Sequence, residues 1–407
     1  MNKIRIILAG PGGGRGYWFA SEILKHPDFE LVALVDRIEQ TAVLAAKYLG
    51  VPGVPIFKDC IEALDGVECD AILVATSDSQ HVEPTVAALK RGKYVYVEKP
   101  LSITLCDCLK IARADIAAGG KTLVGFNLRF APLYAHLQQR ARKGDLGDLL
   151  TIQADEFYHG GKTYFRRWNR LREFGGGLWI TKACHDFDLL YFMAGKLPLR
   201  VNSFAGLSYY KEKPEAGMWC RECPIEKECP DSAVKESAGW DDFTRELMET
   251  RDSVGWRWDM CLFNSDKDTH DHGMATVEFE DKIFGTYTLN VVAAFTDRAM
   301  RLSGTKGTMQ GALSSNDMTH WERYDDSAPS VSPLVDGEIT GGHGGGDSML
   351  LTNFAAFVRG ETARVTTPAE AGIAVAMGQA ATMSSDTNKV VEMEEVPGWT
   401  ELLTLLK

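Results

Sequence analysis

Ile4-Arg-Ile-Ile-Leu-Ala9 runs without a break into Gly10-Pro-Gly-Gly-Gly-Arg-Gly16. A short β-branched run, then glycines, then helical spacing over Trp18–Lys25 reads as strand, turn and helix. Glycine permits positive φ and lets backbone N–H groups approach a phosphate at a helix N-terminus. The spacing is G-x-G-x-x-x-G, one residue longer than the dinucleotide fingerprint G-x-G-x-x-G, and a glycine-rich surface turn would have the same composition. Context decides between them. Asp36 closes the next apolar run about 20 residues after the last glycine, where a carboxylate accepts hydrogen bonds from the adenosine ribose. It repels a 2′-phosphate and so favours NAD over NADP, while Arg37 beside it leaves room for NADP or for stacking on adenine.

Outward from this stretch, Leu31–Val35, Ala71–Ala75, Tyr94–Val97 and Thr122–Gly125 read as further buried strands. Helical spacing separates them at Gln40–Tyr48, Val82–Arg91 and Leu105–Ala118. Strand–helix alternation predicts a parallel, doubly wound α/β domain over 1–128, with its ligand crevice at the strand C-termini. From 129 to 407 the pattern changes. Leu149–Phe157, Met274–Glu280, Gly285–Val292 and Met300–Ser303 alternate as in a large, mostly antiparallel sheet with one open face. Helices are expected at Pro132–Lys143, Ile180–Met193, Ser348–Arg359 and Pro368–Met383, giving an α+β domain. A polar, Cys-rich stretch at about 208–260 reads as an insertion or extended loop.

With 407 residues, 45% apolar and 25% charged, the chain can bury two cores, and disorder is excluded. Its 56 acidic and 44 basic residues give a net charge of −12, which argues against nucleic-acid or anionic-membrane partners. Few apolar residues precede the first glycine, too few for a signal peptide, and no run reaches membrane-spanning length. Nine cysteines, an odd number with several in apolar runs, suggest a reduced, cytoplasmic protein.

Thr76-Ser-Asp-Ser-Gln-His81 follows the third of these strands and Glu98-Lys-Pro100 the fourth. Gly125-Phe-Asn-Leu-Arg-Phe-Ala-Pro132, Gly175-Gly-Gly-Leu178 with His185 and Asp188, and Arg301-Leu-Ser-Gly-Thr-Lys-Gly307 come later. Together with the glycine loop and Asp36, these segments resemble the glucose–fructose oxidoreductase / inositol dehydrogenase / rhizopine catabolism (Gfo/Idh/MocA) family of NAD(P)-dependent oxidoreductases. The resemblance spans nearly the whole chain. It implies a Rossmann domain and a cofactor site drawn from Gly10, Gly12, Gly14, Arg15, Asp36, Arg37, Thr76, Ser77, His81, Glu98, Lys99 and Asn127. It places Lys99 beside nicotinamide and substrate, and His185 on the active-site helix. Arg129, Tyr164, Arg167, Trp168, Lys182, His185 and His343 are the expected substrate ligands. Similar proteins pair through the second-domain sheet, so a homodimer or homotetramer is expected.

The residues also fit the chemistry on their own terms. Oxidising a secondary alcohol needs a group to take the hydroxyl proton while hydride leaves the carbinol carbon. Lys99, at a strand C-terminus before proline, suits a desolvated amine; a surface lysine in a turn is the plainer alternative. His185 lies in an apolar helix, where a core histidine is the usual finding. Many family members carry aspartate four residues before this histidine; here that position is Thr181, and Lys182 follows. Three residues before His185, Lys182 should share its helical face, making the site more cationic. It would bind an anionic or hydroxyl-rich substrate or replace the missing proton-transfer group.

Arg166-Arg-Trp-Asn-Arg-Leu-Arg172 offers guanidinium forks for anionic oxygens and an indole for sugar stacking, or else a salt-bridge patch. His343-Gly-Gly-Gly-Asp347 precedes a helix, with Asp347 as the expected N-cap. Cys220-x-x-Cys223 and Cys229, completed by Cys261 with Cys184 and His270 as rivals, have the donor count of a structural zinc site, with an iron–sulfur cluster or a reduced-thiol or disulfide-prone surface loop as alternatives.

The leading expectation is an NAD-dependent oxidoreductase acting on a ring hydroxyl of a sugar, sugar derivative or cyclitol. One alternative keeps the site but recycles NAD. Transient oxidation at C3 acidifies the C2 proton, allows elimination of an aglycone and is then reversed, which makes a glycosidase. Another is a non-catalytic sensor of NAD or sugar, against which Glu98-Lys99-Pro100 and His185 argue.

Overall fold

The computed structural model describes residues 2–339 and 341–407. Strands β1 (Ile4–Ala9), β2 (Phe29–Val35), β3 (Ile56–Phe57), β4 (Ala71–Val74), β5 (Tyr94–Val97) and β6 (Thr122–Val124) form a parallel sheet in the order β3-β2-β1-β4-β5-β6. Every residue of β4 is buried, as a strand covered by helices on both faces requires. That is why these runs are apolar without alternation. The order reverses direction between β1 and β4, which opens a crevice at the carboxyl ends. There Ala75 N–H donates to Ala9 O, Glu98 N–H to Val74 O and Gly125 N–H to Val97 O at 2.8–2.9 Å. These ladder bonds bring the glycine loop, the Thr76–His81 turn and Glu98-Lys99 to one edge.

The second sheet contains β7 (Leu149–Phe157), β8 (Pro198–Gly206), β9 (His272–Phe279), β10 (Phe284–Asn290), β11 (Asp297–Gly304), β12 (Gly307–Ala312), β13 (Asp317–Glu322), β14 (Ser330–Pro333) and β15 (Val391–Glu392). Its order is β14-β13-β12-β11-β7-β10-β9-β8-β15, antiparallel except for the parallel pair β7–β10. Helices Cys184–Ala194 and Pro368–Thr387 cover one face. The other carries exposed Phe204, Met274 and Phe284. Among the described residues no helix is long and apolar enough to cross a membrane.

Several expectations are corrected. The helix expected over Ile180–Met193 is two, Leu178–Thr181 and Cys184–Ala194, broken at Lys182 and Ala183. Asp347 is not an N-cap: Gly345, at φ 87°, begins the helix, and Asp347 lies buried in its first turn. The polar insertion is an ordered excursion. β8 and β9 pair to their ends, Gly206 opposite His272, so residues 207–271 leave and rejoin the sheet at one register. The excursion holds helices Ala233–Ser237 and Asp242–Ser253 and a small core with Tyr210, Leu262 and Phe263. Asp271 anchors its start by accepting the N–H groups of Ser208, Tyr209 and Tyr210.

The expected zinc site finds no support: among the described residues no three His, Cys, Asp or Glu side chains are grouped to hold a metal ion. Cys220, Cys223, Cys229 and Cys261 do line one small cavity with Leu262 and Phe263. Burial pushes the Cys220 thiol up, and Cys223 Sγ accepts the Gly217 N–H at 3.3 Å. All four are free thiols, Cys220 and Cys261 buried and Cys223 and Cys229 half-buried.

Candidate active site

The glycine loop is compact because side chains would not fit. A Cβ on Gly16 would lie 1.8 Å from Gly10 O, and one on Gly12 would lie 2.7 Å from Asp36 Oδ2. Gly10, Gly13 and Gly14 take φ of 89°, 125° and 57°, and Gly14 faces open space. Asp36 accepts the Ile38 N–H at 3.0 Å, and Arg37 is exposed. Ser77 is extended, and the buried Thr76 Oγ1 and Asn127 Oδ1 lack hydrogen-bond partners, as do Oδ2 of Asp78 and Oγ of Ser79. A bulk-free cradle, a carboxylate beyond it and unpaired polar atoms along the crevice fit a dinucleotide with its ribose hydroxyls and carboxamide.

Four residues expected at the cofactor are held by the protein itself. Arg15 Nε donates to Glu98 Oε1 at 3.0 Å and Nη2 to Asp347 Oδ1 at 2.7 Å, with its guanidinium over Trp18. Glu98 also accepts from Tyr96 Oη and from the Lys99 N–H. His81 is fully buried between Pro100 O (2.9 Å) and Thr76 O (3.3 Å). Asn127 Nδ2 donates to Asp347 Oδ1 at 2.6 Å. These groups fix the turns that carry the crevice.

At the chemical end, Lys99 Nζ donates to Thr181 O at 3.2 Å. His185 is buried, and neither ring nitrogen has a partner. Burial first, then the charges of Lys99, Arg298, His343 and Lys182, hold its pKa well below the usual histidine value. It is therefore a neutral imidazole with a free lone pair. Asp78, which sequence reading passed over inside its own motif, is pushed up to about 7 by burial, against the pull of Lys99.

Lys182 does not share a helical face with His185, because the helix breaks there. Its Nζ lies 2.7 Å from Glu156 Oε1 and 3.8 Å from the Tyr158 ring centroid. Arg298 Nη2 is 2.5 Å from the same Glu156 oxygen, its Nε is 3.3 Å from Asp186, and Tyr287 Oη donates to Asp186 at 3.0 Å. Burial brings Lys182 down to about 8, opposed by Glu156. The expected surplus of positive charge is thus met by a buried carboxylate. Glu156 and Arg298 went unforeseen, although both sit at inward-facing strand positions, with Ile152 and Ala154 on β7 and with Met300 and Leu302 on β11.

On the substrate side the arginine run divides. Arg166 pairs with Glu236, Arg170 with Asp266 and Arg172 with Asp386. Arg167 alone has no acidic partner among the described residues and stays exposed beside half-buried Trp168. Tyr164 stands next to Tyr158, with Lys182 Nζ 5.9 Å from its ring centroid. His343 Nδ1 lies 2.9 Å from Asp347 Oδ2, and its ring is 5.6 Å from that of His185. Arg129 is not available to a substrate. It is buried in a two-pronged pair with Asp188 at 2.8 and 2.6 Å.

Comparison with known proteins bears out the fold. Residues 4–126 match the NAD-binding Rossmann-fold domain of the Gfo/Idh/MocA oxidoreductase family, and 139–393 match its C-terminal alpha/beta domain. Over 403 residues the chain is 28% identical to the Bacillus subtilis protein YteT, assigned to the oxidoreductases, covering 90% of this chain and 92% of that one. It is 27% identical over 195 residues to the scyllo-inositol 2-dehydrogenase (NAD(+)) of the same organism, covering 48% and 55%. The WlbA dehydrogenase of Bordetella pertussis, solved with NADH and UDP-GlcNAcA, shares the fold with a TM-score of 0.71 at 17% identity, covering 96% and 99%.

Proposed function

Since this chain belongs to the Gfo/Idh/MocA family of NAD-binding oxidoreductases, we propose that it oxidises a ring hydroxyl of a sugar, sugar derivative or cyclitol. The observation that carries the reading is Lys99, at the carboxyl edge of the parallel sheet and bonded to Thr181 O, with buried, unpartnered His185 four residues beyond that carbonyl. NAD, when bound, accepts the hydride from the carbinol carbon. His185 takes the hydroxyl proton on its free lone pair. Lys99 stabilises the oxygen as negative charge develops on it, and Thr181 O orients its ammonium group. Lys182, tethered to Glu156, and the neighbouring Tyr164 orient the other hydroxyls, while Arg167, Trp168 and His343 border the substrate. The open sheet face with Phe204, Met274 and Phe284 is where copies of the chain pair, as dimer or tetramer, in the cytoplasm.

A second reading is favoured by the helix Asp242–Ser253, which lies over the glycine loop and would slow cofactor exchange. A retained cofactor suits a cycle in which oxidation at C3, elimination of the aglycone, addition of water at C1 with return of a proton to C2, and re-reduction leave no net redox change. Incubation with aryl glycosides and catalytic NAD separates the two. A dehydrogenase accumulates NADH with free sugars or cyclitols and releases no aglycone. Aglycone release without NADH accumulation would replace the first reading with the second.

A further inference from the structure

The excursion 207–271 does not stay with the sheet that it leaves. Its helix Asp242–Ser253 crosses to the nucleotide domain and packs on helix Glu39–Tyr48. Phe243 stacks on Tyr17 with ring centroids 3.9 Å apart, and Glu246 accepts from Lys47 and Tyr48 at 2.7 and 2.8 Å. Leu247 is buried so close to the glycine loop that a Cβ on Gly13 would come within 2.8 Å of it. In the last turn Arg251 Nη2 donates to Gly12 O at 2.5 Å.

Arg251 thus stands at Gly12, close to which Asp36 also lies, and it feels the charges of Asp36 and of Arg167. Burial and Arg167 disfavour its charge, and only Asp36 opposes them. Neither guanidinium has an ion-pair partner among the described residues. A guanidinium without a carboxylate partner, held over a glycine loop, makes a site for an anion with several oxygens.

We propose that Arg251 binds the diphosphate of the dinucleotide, so that the insertion supplies part of the cofactor site. Its fork meets phosphate oxygens that the loop's N–H groups leave unused. The nucleotide is then enclosed between the loop and the helix, and leaves only when Leu247 and Arg251 part from Gly12 and Gly13. Dinucleotide binding alone is required for this; failure to oxidise any sugar would leave the affinities standing.

The test is a calorimetric titration with NAD and, separately, with adenosine, which lacks the diphosphate, plus a chase measurement of NAD release. Arg251→Ala should weaken NAD binding at least about tenfold, as loss of a charge-assisted hydrogen bond implies, and speed its release. Adenosine binding should not change. Arg251→Lys should recover part of the affinity. Arg245→Ala, which removes the same charge from an exposed position on the same helix, should bind NAD as wild type does. NAD affinity within twofold of wild type in Arg251→Ala would overturn the assignment. So would tighter binding, which would make the helix an obstruction, or an equal loss for adenosine, which would mean that the arginine only shapes the loop.

Discussion

At His185, burial and the surrounding Lys99, Arg298, His343 and Lys182 all favour the neutral ring. A lowered pKa means that the base is lost to protonation only after the pH has fallen past the ordinary histidine value of about 6.5. The acid limb of kcat/KM for oxidation should accordingly have its midpoint below that value. A midpoint at or above 6.5 would show that the imidazole is not held neutral, or is not the base. Lys99 and His185 could be found in the sequence because each follows a recognisable local pattern, Glu-Lys-Pro and the triple glycine. The partners that hold Arg15 and Arg129, Asp347 and Asp188, were not legible, because they are distant in sequence and no local pattern announces the pairs. Glu156 and Arg298 were legible in principle, since a charge at an inward strand position demands a buried partner.

Among the elements, the glycine loop shows most directly how sequence becomes geometry. A methyl group on Gly16 would collide with the Gly10 carbonyl, which belongs to the backbone and cannot rotate away. Gly16→Ala should cost about 1–3 kcal/mol of stability by denaturant titration, with weakened NAD binding. Gly53→Ala, where nothing lies within 4 Å, should change stability by no more than about 0.5 kcal/mol. Equal stability of the two variants would contradict the packing account. Long apolar strands were readable from periodicity, but β3 and β15 pair through only Ile56–Phe57 and Val391–Glu392, too short to establish a period. The break at Lys182 was hidden as well. The residues on either side keep helical spacing, and the break follows from the turn that takes Lys182 to Glu156.

For the molecule as a whole, composition and alternation predicted a parallel α/β unit followed by a mostly antiparallel sheet, and the structure has both. What they did not predict was that the polar insertion bridges the two, because a helix such as Asp242–Ser253 looks solvent-exposed until its apolar residues, Phe243 and Leu247, find the nucleotide domain. Its cysteines, read as metal ligands, are free thiols within that bridge. The central claim is hydride transfer from a ring carbinol to NAD with Lys99 at the reacting oxygen. The most direct test mixes NAD-loaded protein with cyclitols, aldoses, sugar acids and glycosides in single turnover and follows the absorbance of the reduced nicotinamide. Wild type should form reduced cofactor with at least one ring polyol, transiently or not, and Lys99→Ala, still binding NAD, should do so at least about 100-fold more slowly. Bound NAD that no polyol reduces, or an undiminished rate in Lys99→Ala, would contradict it.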